Sequence, residues 1–563
     1  MIKNILENAI KTALWELQIE EAKIGKINLE HPEELSHGDY SCNIAMILAK
    51  QVSQNPRELA EKIVAEILER KPEEVSKIEV AGPGFINFYL SPDFFIQQSK
   101  EILKADKKFG QSKIGKGKKV IVEYSSPNIA KPFTIGHLRS TVIGDAIANI
   151  LDFSGYKVVR DNHLGDWGTQ FGKLIVAIKK WSSFDDIKKS ESPIKDLVAL
   201  YVRFHDEAEK DLALDNEARD WFTKLEKGDR EAKKIWEVCV QLSMKEFEKI
   251  YKRLGVKFDT AYGESFFEDK MKDVIEEVKK LGIAKESEGA YLVFFENDKY
   301  PPMMLLKKDG SSIYALRDLA ADKFRKKKYG KDVTIINEVG MEQSLHFQQL
   351  FETEKLLGYS NGHDRVHVKH GFYRFPEGKM STRKGNGIWL DEVLDEAIEK
   401  AGAFDKNSAE MVGIGAIKFN DLKRECSKDI IFNWDEILNL KGDSGPYLQY
   451  SYARAKSILR KAKEEGVKKV DWKKVSTKNT SHLEKMLYRF PEIVERAGQE
   501  YSPHYIATYL IELASSFNGF YAQGKIVDKA DLQSPYKVAL TEVFSVVLKN
   551  GLRLLGIQAP EKM

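Results

Sequence analysis

Hydrophobic positions follow their clearest pattern between residues 119 and 161. The β-branched run KVIVEY at 119–124 is typical of a strand buried in a parallel sheet. After a loop, HLRSTVIGDAIANILDFSGY repeats apolar residues at helical spacing and reaches a stop signal at Gly155. YKVVRD then has the composition of a second strand. This order predicts a strand–helix–strand unit with parallel strands.

Helical spacing recurs near the N-terminus. A first helix is predicted from Ile2, with Leu6 and Leu14 on its apolar face. GDYSCNIAMILAK predicts a second helix, capped by Asp39 or Ser41. Three apolar residues of this helix are expected to face inward: Ile44, Ile47 and Leu48. Strands are expected on both sides of the Gly-Pro-Gly turn in KIEVAGPGFINFYL.

The remaining patterns predict an α/β multidomain protein. Residues 175–290 are helix-rich and highly charged, which indicates a helical insertion with solvated faces. YLVFF (291–295) and VTIIN (333–337) return to a strand-like composition, and amphipathic helices dominate from about 390 onward. We predict an N-terminal α+β module at 1–112 and a core with a Rossmann-type parallel sheet at 113–390. Connecting helices at 391–444 and a C-terminal all-α bundle at 445–563 would follow.

Composition narrows the class of protein. Apolar residues make up 42% and charged residues 31%, which excludes an integral membrane protein and a wholly disordered chain. The net charge is only +3, so any contact with nucleic acid would come from local basic patches. Three dispersed cysteines without a CxxC pair predict reduced thiols and no structural zinc. Because Glu7 and Lys11 interrupt the first apolar stretch, we expect no signal peptide and a cytoplasmic protein.

The loop SSPNIAKPFTIGH at 125–137 joins the first predicted strand to its helix. Ligands of open α/β sheets bind beyond the carboxyl ends of the strands, where a helix N-terminus favours phosphate. Gly136 allows a close approach to the backbone, His137 can donate a hydrogen bond, and Lys131 can neutralise charge. The alternative is a histidine that only caps the helix and a lysine that only meets solvent.

A second motif, GKMSTRKGN at 378–386, is a glycine-flanked cationic loop. Lys379, Arg383 and Lys384 could clamp a polyphosphate in a transition state. Taken alone, a solvated basic loop explains the same residues. The two motifs can act together only if the fold brings them close.

Together the two motifs resemble the HIGH and KMSKS signatures of class I aminoacyl-tRNA synthetases. The strings SSPNIAKP, GHLRST, DNHLGDWGTQFG, LLKKDGSSIYALRDLAA and GDSGPYLQYSYARAKSILRK resemble the arginyl-tRNA synthetase family, in order along essentially the whole chain. The resemblance implies that the core is catalytic and that the connecting helices meet the tRNA stem. It implies further tRNA contacts in the N-terminal module and an anticodon-binding role for 445–563.

The resemblance implies an arginine–tRNA ligase. ATP, with Mg²⁺, and L-arginine would form arginyl-adenylate once tRNA is bound, and the arginyl group would pass to the 3′ end of tRNA(Arg). The residues implied for ATP and catalysis are Lys131, Thr134, Gly136, His137, Lys379, Met380, Ser381, Arg383 and Lys384. Those implied for arginine are Glu123, Ser126, Asn128, His137, Tyr314, Asp318 and Gln343.

The implied arginine site fits the chemistry of a guanidinium. This group presents five N–H donors and keeps its charge, so its pocket should offer carboxylates and other acceptors. Tyr314 and Asp318 are four residues apart and would face one side of a helix. The alternative for Asp318 is a helix-cap role or an ion pair with Arg317. Lysine would leave acceptors unpaired, so discrimination needs no editing domain.

Two positions depart from the family pattern. Thr134 stands where the first histidine of HIGH is usual, and a hydroxyl cannot carry its charge. Thr382 replaces the second lysine of KMSKS. The resemblance implies that Lys131 supplies the missing charge. This hypothesis predicts that Lys131→Ala and Lys379→Ala both lose adenylate formation.

Aromatic and basic residues interleave at the start of the last region, where they could stack on anticodon bases and contact phosphate. The alternative is that the tyrosines pack the bundle. The expected tRNA contacts are Tyr40, Asn43, Tyr447, Tyr450, Tyr452, Arg454 and Arg460. The expected state is a monomer without membrane contact. Two rivals are a nucleotidylyltransferase, which should lack the aromatic-basic helices, and a non-catalytic tRNA-binding relative, which should have lost Lys379 or the guanidinium acceptors.

Overall fold

The computed structural model describes residues 2–20, 25–308, 310, 313–375, 388–475 and 480–563. The chain divides into two compact units. The first combines residues up to Phe109 with Ala455–Phe490 and Leu513–Val547, and the second contains Gly110–Arg454, Pro491–Glu512 and Leu548–Met563. No helix in the described ranges combines the length and the apolar character that crossing a membrane requires.

The first unit contains an antiparallel sheet with the strand order β1-β2-β4-β3. Its N-terminal elements are α1 (Ile2–Glu16), β1 (Leu29–Glu30), β2 (Tyr40–Cys42), α2 (Ile44–Ala49), α3 (Pro56–Glu69), β3 (Val75–Ala81), β4 (Phe85–Leu90) and α4 (Pro92–Ala105). Leu6, Leu48 and Phe88 lie in its buried core. The predicted first helix and the two strands around the Gly-Pro-Gly turn are confirmed.

The helix predicted in GDYSCNIAMILAK is shorter than expected. Ser41 lies in β2, where Tyr40 pairs with Phe88 of β4, so neither Asp39 nor Ser41 caps a helix. Asn43 precedes α2 instead, without a side-chain capping bond. Ile47 is 46% exposed, so its predicted inward orientation is wrong. Burial of the alternating residues Tyr40 and Cys42 favours the strand over a longer helix.

The second unit is built on a parallel sheet whose strands lie in the order 365–370, 334–340, 119–123 and 157–161. The predicted strand–helix–strand unit is confirmed by β5 (Lys119–Glu123), α5 (Ile135–Phe153) and β6 (Lys157–Asp161), with β5 parallel to β6. The predicted inner face of α5 is buried, and Gly155 has a φ of +86°, which suits the helix stop. Gly144 lets α5 pack against Tyr124, because a Cβ there would lie 2.2 Å from that side chain.

The insertion after β6 is helical, as predicted. It contains α6 (Gln170–Trp181), α7 (Phe184–Lys189), α8 (Pro193–Ala208), α9 (Ala213–Glu226), α10 (Arg230–Leu254) and α11 (Met271–Lys280). YLVFF does not join the parallel sheet. It contributes to β8 of a separate antiparallel sheet made of β7 (Ala284–Ser287), β8 (Ala290–Val293) and β9 (Met303–Leu306).

The chain then returns to the parallel sheet and ends in helices. VTIIN lies in β10, and the elements of this part are α12 (Tyr314–Tyr329), β10 (Thr334–Gly340), α13 (Ser344–Leu356) and β11 (Arg365–His370). A short pair, β12 (Tyr373–Arg374) and β13 (Ile430–Ile431), is also parallel. The remaining helices are α14 (Leu390–Ala401), α15 (Ala409–Leu422), α16 (Trp434–Ile437), α17 (Gly445–Glu464), α18 (His482–Leu487), α19 (Phe490–Gln499), α20 (His504–Ala522) and α21 (Ser534–Leu554).

Five short 3₁₀ turns are assigned in the described residues. They are Leu35–His37, Asp106–Lys108, Glu264–Lys270, Glu296–Asp298 and Met341–Gln343. Two of them border the site, because Glu264 and Gln343 both line the cleft described next.

Candidate active site

A cleft of about 530 Å³ opens where the parallel strands end. Glu123, Gly340 and His370 are the last residues of β5, β10 and β11, and all three line it. Gly136 and His137, at the N-terminus of α5, line the same cleft. The site therefore lies at the carboxyl edge of the sheet, where open α/β folds bind ligands.

The loop between β5 and α5 is held in an unusual backbone conformation. Ser125, Ser126 and Ala130 have φ values of +73°, +45° and +58°. Side chains from three other segments fix it, because the N–H groups of these residues donate to Ser140 Oγ, Asn162 Oδ1 and Ser243 Oγ at 2.8–3.1 Å. Left-handed backbone at non-glycine residues persists where the surroundings enforce it, and functional sites are enriched in such residues.

The ring of His137 both caps α5 and faces the cleft. The backbone N–H of Thr134 donates to His137 Nδ1 at 3.1 Å. Burial lowers the pKa of His137, and the charges of Lys131 and His370 lower it further. The ring is therefore neutral at pH 7 and carries its proton on Nε2, which leaves one N–H donor for a ligand. The structure thus confirms that His137 caps α5, and this cap does not engage Nε2.

Asn128 is placed by a close backbone contact. A Cβ at Gly165 would lie 2.1 Å from Asn128 Oδ1, so this position admits only glycine without rearrangement. The N–H of Ile129 donates to the carbonyl of Gly165 at 3.0 Å. Gly165 belongs to the string DNHLGDWGTQFG, which gives this part of the resemblance a physical reason.

Tyr314 and Asp318 lie on α12 and both line the cleft, as their spacing predicts. Asp318 Oδ2 lies 2.7 Å from His346 Nε2, and the rings of Tyr314 and His346 are 4.7 Å apart. Arg317 pairs with Glu264 and Glu268 instead, so the alternative of an ion pair between Arg317 and Asp318 is wrong.

Glu123 lines the cleft but is already paired. Its carboxylate contacts Arg325, which also pairs with Asp161 and Asp322 and is only 5% exposed. Burial alone would raise the pKa of Asp322, but Arg365 and Arg325 lower it to about 2. Glu123 can therefore accept a hydrogen bond from a ligand only while it is also paired with Arg325.

Among the residues that the structure describes, more carboxylates than arginines line the cleft. Six carboxylates line it: Glu123, Glu264, Asp318, Asp322, Glu338 and Glu342. Both of its arginines are already paired. Arg325 has the three carboxylate partners described above, and Arg139 donates hydrogen bonds to Asp421 and to the carbonyls of Cys426 and Lys428. Such a surface favours a cationic ligand.

Sequence reasoning missed Glu264, His346 and His370. Burial raises the pKa of Glu264, with Arg317 opposing the shift. No motif marks these residues, and only the fold carries them to the cleft. The sequence around Glu264, His346 or His370 gives no local indication that the three residues share a site.

The structure brings most of the sequence-predicted site residues together. The cleft is lined by Glu123, Ser126, Asn128, Thr134, Gly136, His137, Tyr314, Asp318 and Gln343. Lys131 is exposed and does not line it, although its charge reaches His137. Five predicted residues lie outside the described part of the chain: Lys379, Met380, Ser381, Arg383 and Lys384.

The residues predicted to contact tRNA fall into two groups. Tyr40 and Tyr452 are 0% and 2% exposed, so their rings pack inside the protein and cannot stack on a base as placed. Tyr450 is 37% exposed and lies 4.7 Å from the guanidinium of Arg454. Tyr447 and Arg460 are partly exposed on α17. Asn43 lines a cleft of about 620 Å³ in the first unit.

Comparisons with known proteins agree along the whole chain. Residues 98–434 match the catalytic domain of the class I tRNA synthetases (R), 448–563 the DALR anticodon binding domain, and 2–90 the arginyl tRNA synthetase N terminal domain. The arginine–tRNA ligase of Halothermothrix orenii is 41% identical over 100% of this chain and 99% of its own length.

Solved structures show the same likeness. The arginyl-tRNA synthetase of Plasmodium falciparum has a TM-score of 0.84 at 25% identity, over 100% of this chain and 99% of its own. That of Thermus thermophilus has a TM-score of 0.80 at 26% identity, over 100% of both chains. The sheet, the cleft at its carboxyl edge and the histidine at the helix N-terminus thus define a class I aminoacyl-tRNA synthetase. Within that class, the chain belongs to the arginyl-tRNA synthetase family.

Proposed function

We propose that this protein is an arginine–tRNA ligase. Support comes from the family match and from one observation above all, the cleft that joins a phosphate-suited helix N-terminus to a carboxylate-rich wall. ATP and L-arginine would react there to give arginyl-adenylate and pyrophosphate. The arginyl group would then pass to the terminal adenosine of tRNA(Arg), and AMP would leave.

The first step needs positioning more than proton transfer. An oxygen of the arginine carboxylate attacks the α-phosphorus of ATP, and the bond to the pyrophosphate oxygen breaks. Because the carboxylate is already a nucleophile, catalysis comes from alignment and charge stabilisation. The Nε2–H of His137 can donate to a phosphate oxygen, and the N-terminus of α5 adds a partial positive charge. By resemblance, Lys131, Lys379 and Arg383 add positive charge.

The amino acid would bind with its guanidinium toward α12. Asp318 and the hydroxyl of Tyr314 offer acceptors, while Ser126, Asn128 and Gln343 would hold the α-amino and carboxylate end. A lysine ammonium has three donors in place of five and would leave acceptors unpaired. Mg²⁺ is expected to enter as part of the ATP substrate.

Two surfaces support the tRNA part of the proposal. In the first unit, Asn43 Oδ1 is buried and has no hydrogen-bond partner among the described residues, and the cleft beside it is also lined by Phe85 and Asn87. On α17, Tyr450 and Arg454 form an aromatic-cationic pair at the surface. An unpaired base could stack on such a ring, while the guanidinium contacts phosphate.

The division into 1–112, 113–390, 391–444 and 445–563 is proposed on the same footing, as the N-terminal, catalytic, connecting and anticodon-binding regions. We also propose a monomer acting in the cytoplasm, on the family likeness and on the dispersed, unpaired cysteines.

The decisive experiment is ATP–pyrophosphate exchange with each amino acid, with and without tRNA. Among the amino acids tested, we expect only L-arginine to support exchange, and only when tRNA(Arg) is present. A chain that exchanges with another amino acid, or that stays silent with arginine and cognate tRNA, would contradict the proposal.

A further inference from the structure

The cleft contains a histidine that the proposed function has not used. His370 ends β11, beside the end of β10, and lines the cleft with His137. Its Nδ1 lies 2.8 Å from Glu338 Oε1, and the Glu338 carboxylate is completely buried. The ring therefore has one nitrogen fixed by a carboxylate from the neighbouring strand.

The other nitrogen of His370 is available to a ligand. The contacts of His370 within the described ranges use Nδ1 alone, and the side chain is 13% exposed on the cleft. When the ring is protonated, Nε2–H becomes a charged donor aimed away from Glu338. His370 influences the charge state of His137, so the two rings serve one region of the cleft.

The other cations that line the cleft in the described ranges are engaged elsewhere. Arg139 and Arg325 are buried in ion pairs, and His346 faces Asp318. His163 also lines the cleft, but its ring lies 5.6 Å from that of Phe267 and its charge acts on Glu264, on the side proposed for the amino acid. His137 is neutral, and the hydroxyl of Thr134 contacts the His137 ring at 3.1 Å. His370 is thus the group among them that can bring a positive donor to the nucleotide end.

We propose that His370 is a nucleotide-binding residue of this enzyme, whose Nε2–H donates to a phosphate oxygen of ATP and of the adenylate, with Glu338 as its positioning residue. The inference rests on the proposed function, because ATP is the substrate of that reaction. In this chain His370 would supply an imidazole charge that Thr134 cannot.

Electrostatics around His370 support a protonated ring. Burial lowers the pKa of His370, but the Glu338 carboxylate outweighs it and the net shift is upward. Arg139 opposes the charge and Asp421 favours it. A raised pKa means that the cation is present at low pH and is lost as pH rises through that pKa. Nucleotide affinity should fall over the same range.

The test compares binding of AMP and adenosine by equilibrium dialysis, which needs no turnover. His370→Asn keeps a donor toward Glu338 but removes Nε2, so AMP and ATP should bind at least about tenfold more weakly. Adenosine, which lacks phosphate, should bind within about twofold of wild type. His367→Asn is the matched control, since His367 lies on the same strand and does not line the cleft.

The pH profile separates binding from a structural role. The ratio of wild-type to His370→Asn affinity for AMP should shrink as pH rises from about 6 to about 9. Glu338→Gln should move that loss to lower pH. Unchanged AMP affinity in His370→Asn would overturn the inference, and so would an equal loss for AMP and adenosine. A wild-type chain without arginine-dependent exchange would instead overturn the proposed function.

Discussion

Thr134 preserves the start of α5 but cannot carry the charge of the histidine that the family usually has at this position. Its backbone N–H and its hydroxyl both meet His137 Nδ1 at 3.1 Å, so the helix start is preserved without a second imidazole. The motif residues from Ser126 to His137 were predictable because local backbone chemistry and family likeness point to them together. Glu264 and His370 were not, because their neighbours at the cleft are distant in the chain.

Lys131→Ala should reduce adenylate formation sharply. If Lys131 offsets the missing charges at positions 134 and 382, its loss costs roughly 2.7–4 kcal/mol of transition-state stabilisation, or about 10²–10³-fold in exchange rate. Lys252→Ala, which removes an exposed lysine of α10, is the control. Exchange by Lys131→Ala at the control's rate would remove this lysine from the catalytic machinery.

Asp318→Asn should weaken arginine binding selectively. The substitution removes a charged acceptor at the cleft while the side chain keeps its shape, so KM for arginine should rise about 10- to 100-fold. KM for ATP should change little, because the nucleotide end is formed by other residues. Steady-state exchange with arginine and ATP varied in turn measures both constants. Asp332→Asn, on an exposed turn, should change neither.

Elements were predicted best where local and tertiary signals agree. β5 and α5 are buried along most of their length, so their apolar runs left few alternatives, whereas β6 is an edge strand that is only partly buried. The helix prediction was wrong at Tyr40–Cys42 because pairing with β4 determines the conformation of this segment. YLVFF reads as a strand on its own, but nothing in five residues tells whether the partner strand is parallel or antiparallel.

Gly144→Ala tests how closely α5 packs. The added methyl would lie 2.2 Å from Tyr124 Cβ, next to the backbone, so neither neighbour can rotate away. We expect at least about 1–3 kcal/mol of lost stability in thermal unfolding. Gly519→Ala on α20 has no atom within 4 Å of the new Cβ and should leave stability unchanged or raise it by up to about 1 kcal/mol. Equal melting of the two variants would contradict this packing.

At the scale of the whole molecule, the first unit joins distant parts of the chain. Tyr488 is buried among residues of the N-terminal sheet and α4, with its ring 5.4 Å from Phe94 and 6.3 Å from Tyr40. Lys485 lies 3.0 Å from the buried Asp39. No periodicity predicts such pairings, because Tyr488 directly follows α18 and Asp39 directly precedes β2, and neither local pattern depends on the other.

Tyr488→Ala should therefore destabilise the first unit although Tyr488 lines neither cleft. Loss of a buried aromatic ring costs about 3–5 kcal/mol, which should lower the melting transition of this unit. Tyr521→Ala, which truncates a 44% exposed tyrosine of the same unit, is the matched control. A chain lacking residues 2–109 should likewise lose solubility, since Tyr488 would be uncovered. Wild-type melting of Tyr488→Ala would refute this account.

Because the first unit combines early and late residues, its N-terminal part is synthesised well before the residues that complete its core. Residues up to Phe109 emerge from the ribosome roughly 20–75 s before Tyr488, at about 5–20 residues per second. During that interval the early apolar surface around Tyr40 and Phe94 has no permanent cover. A nascent chain of this protein thus exposes this apolar surface for most of its translation, and slower translation lengthens the exposure.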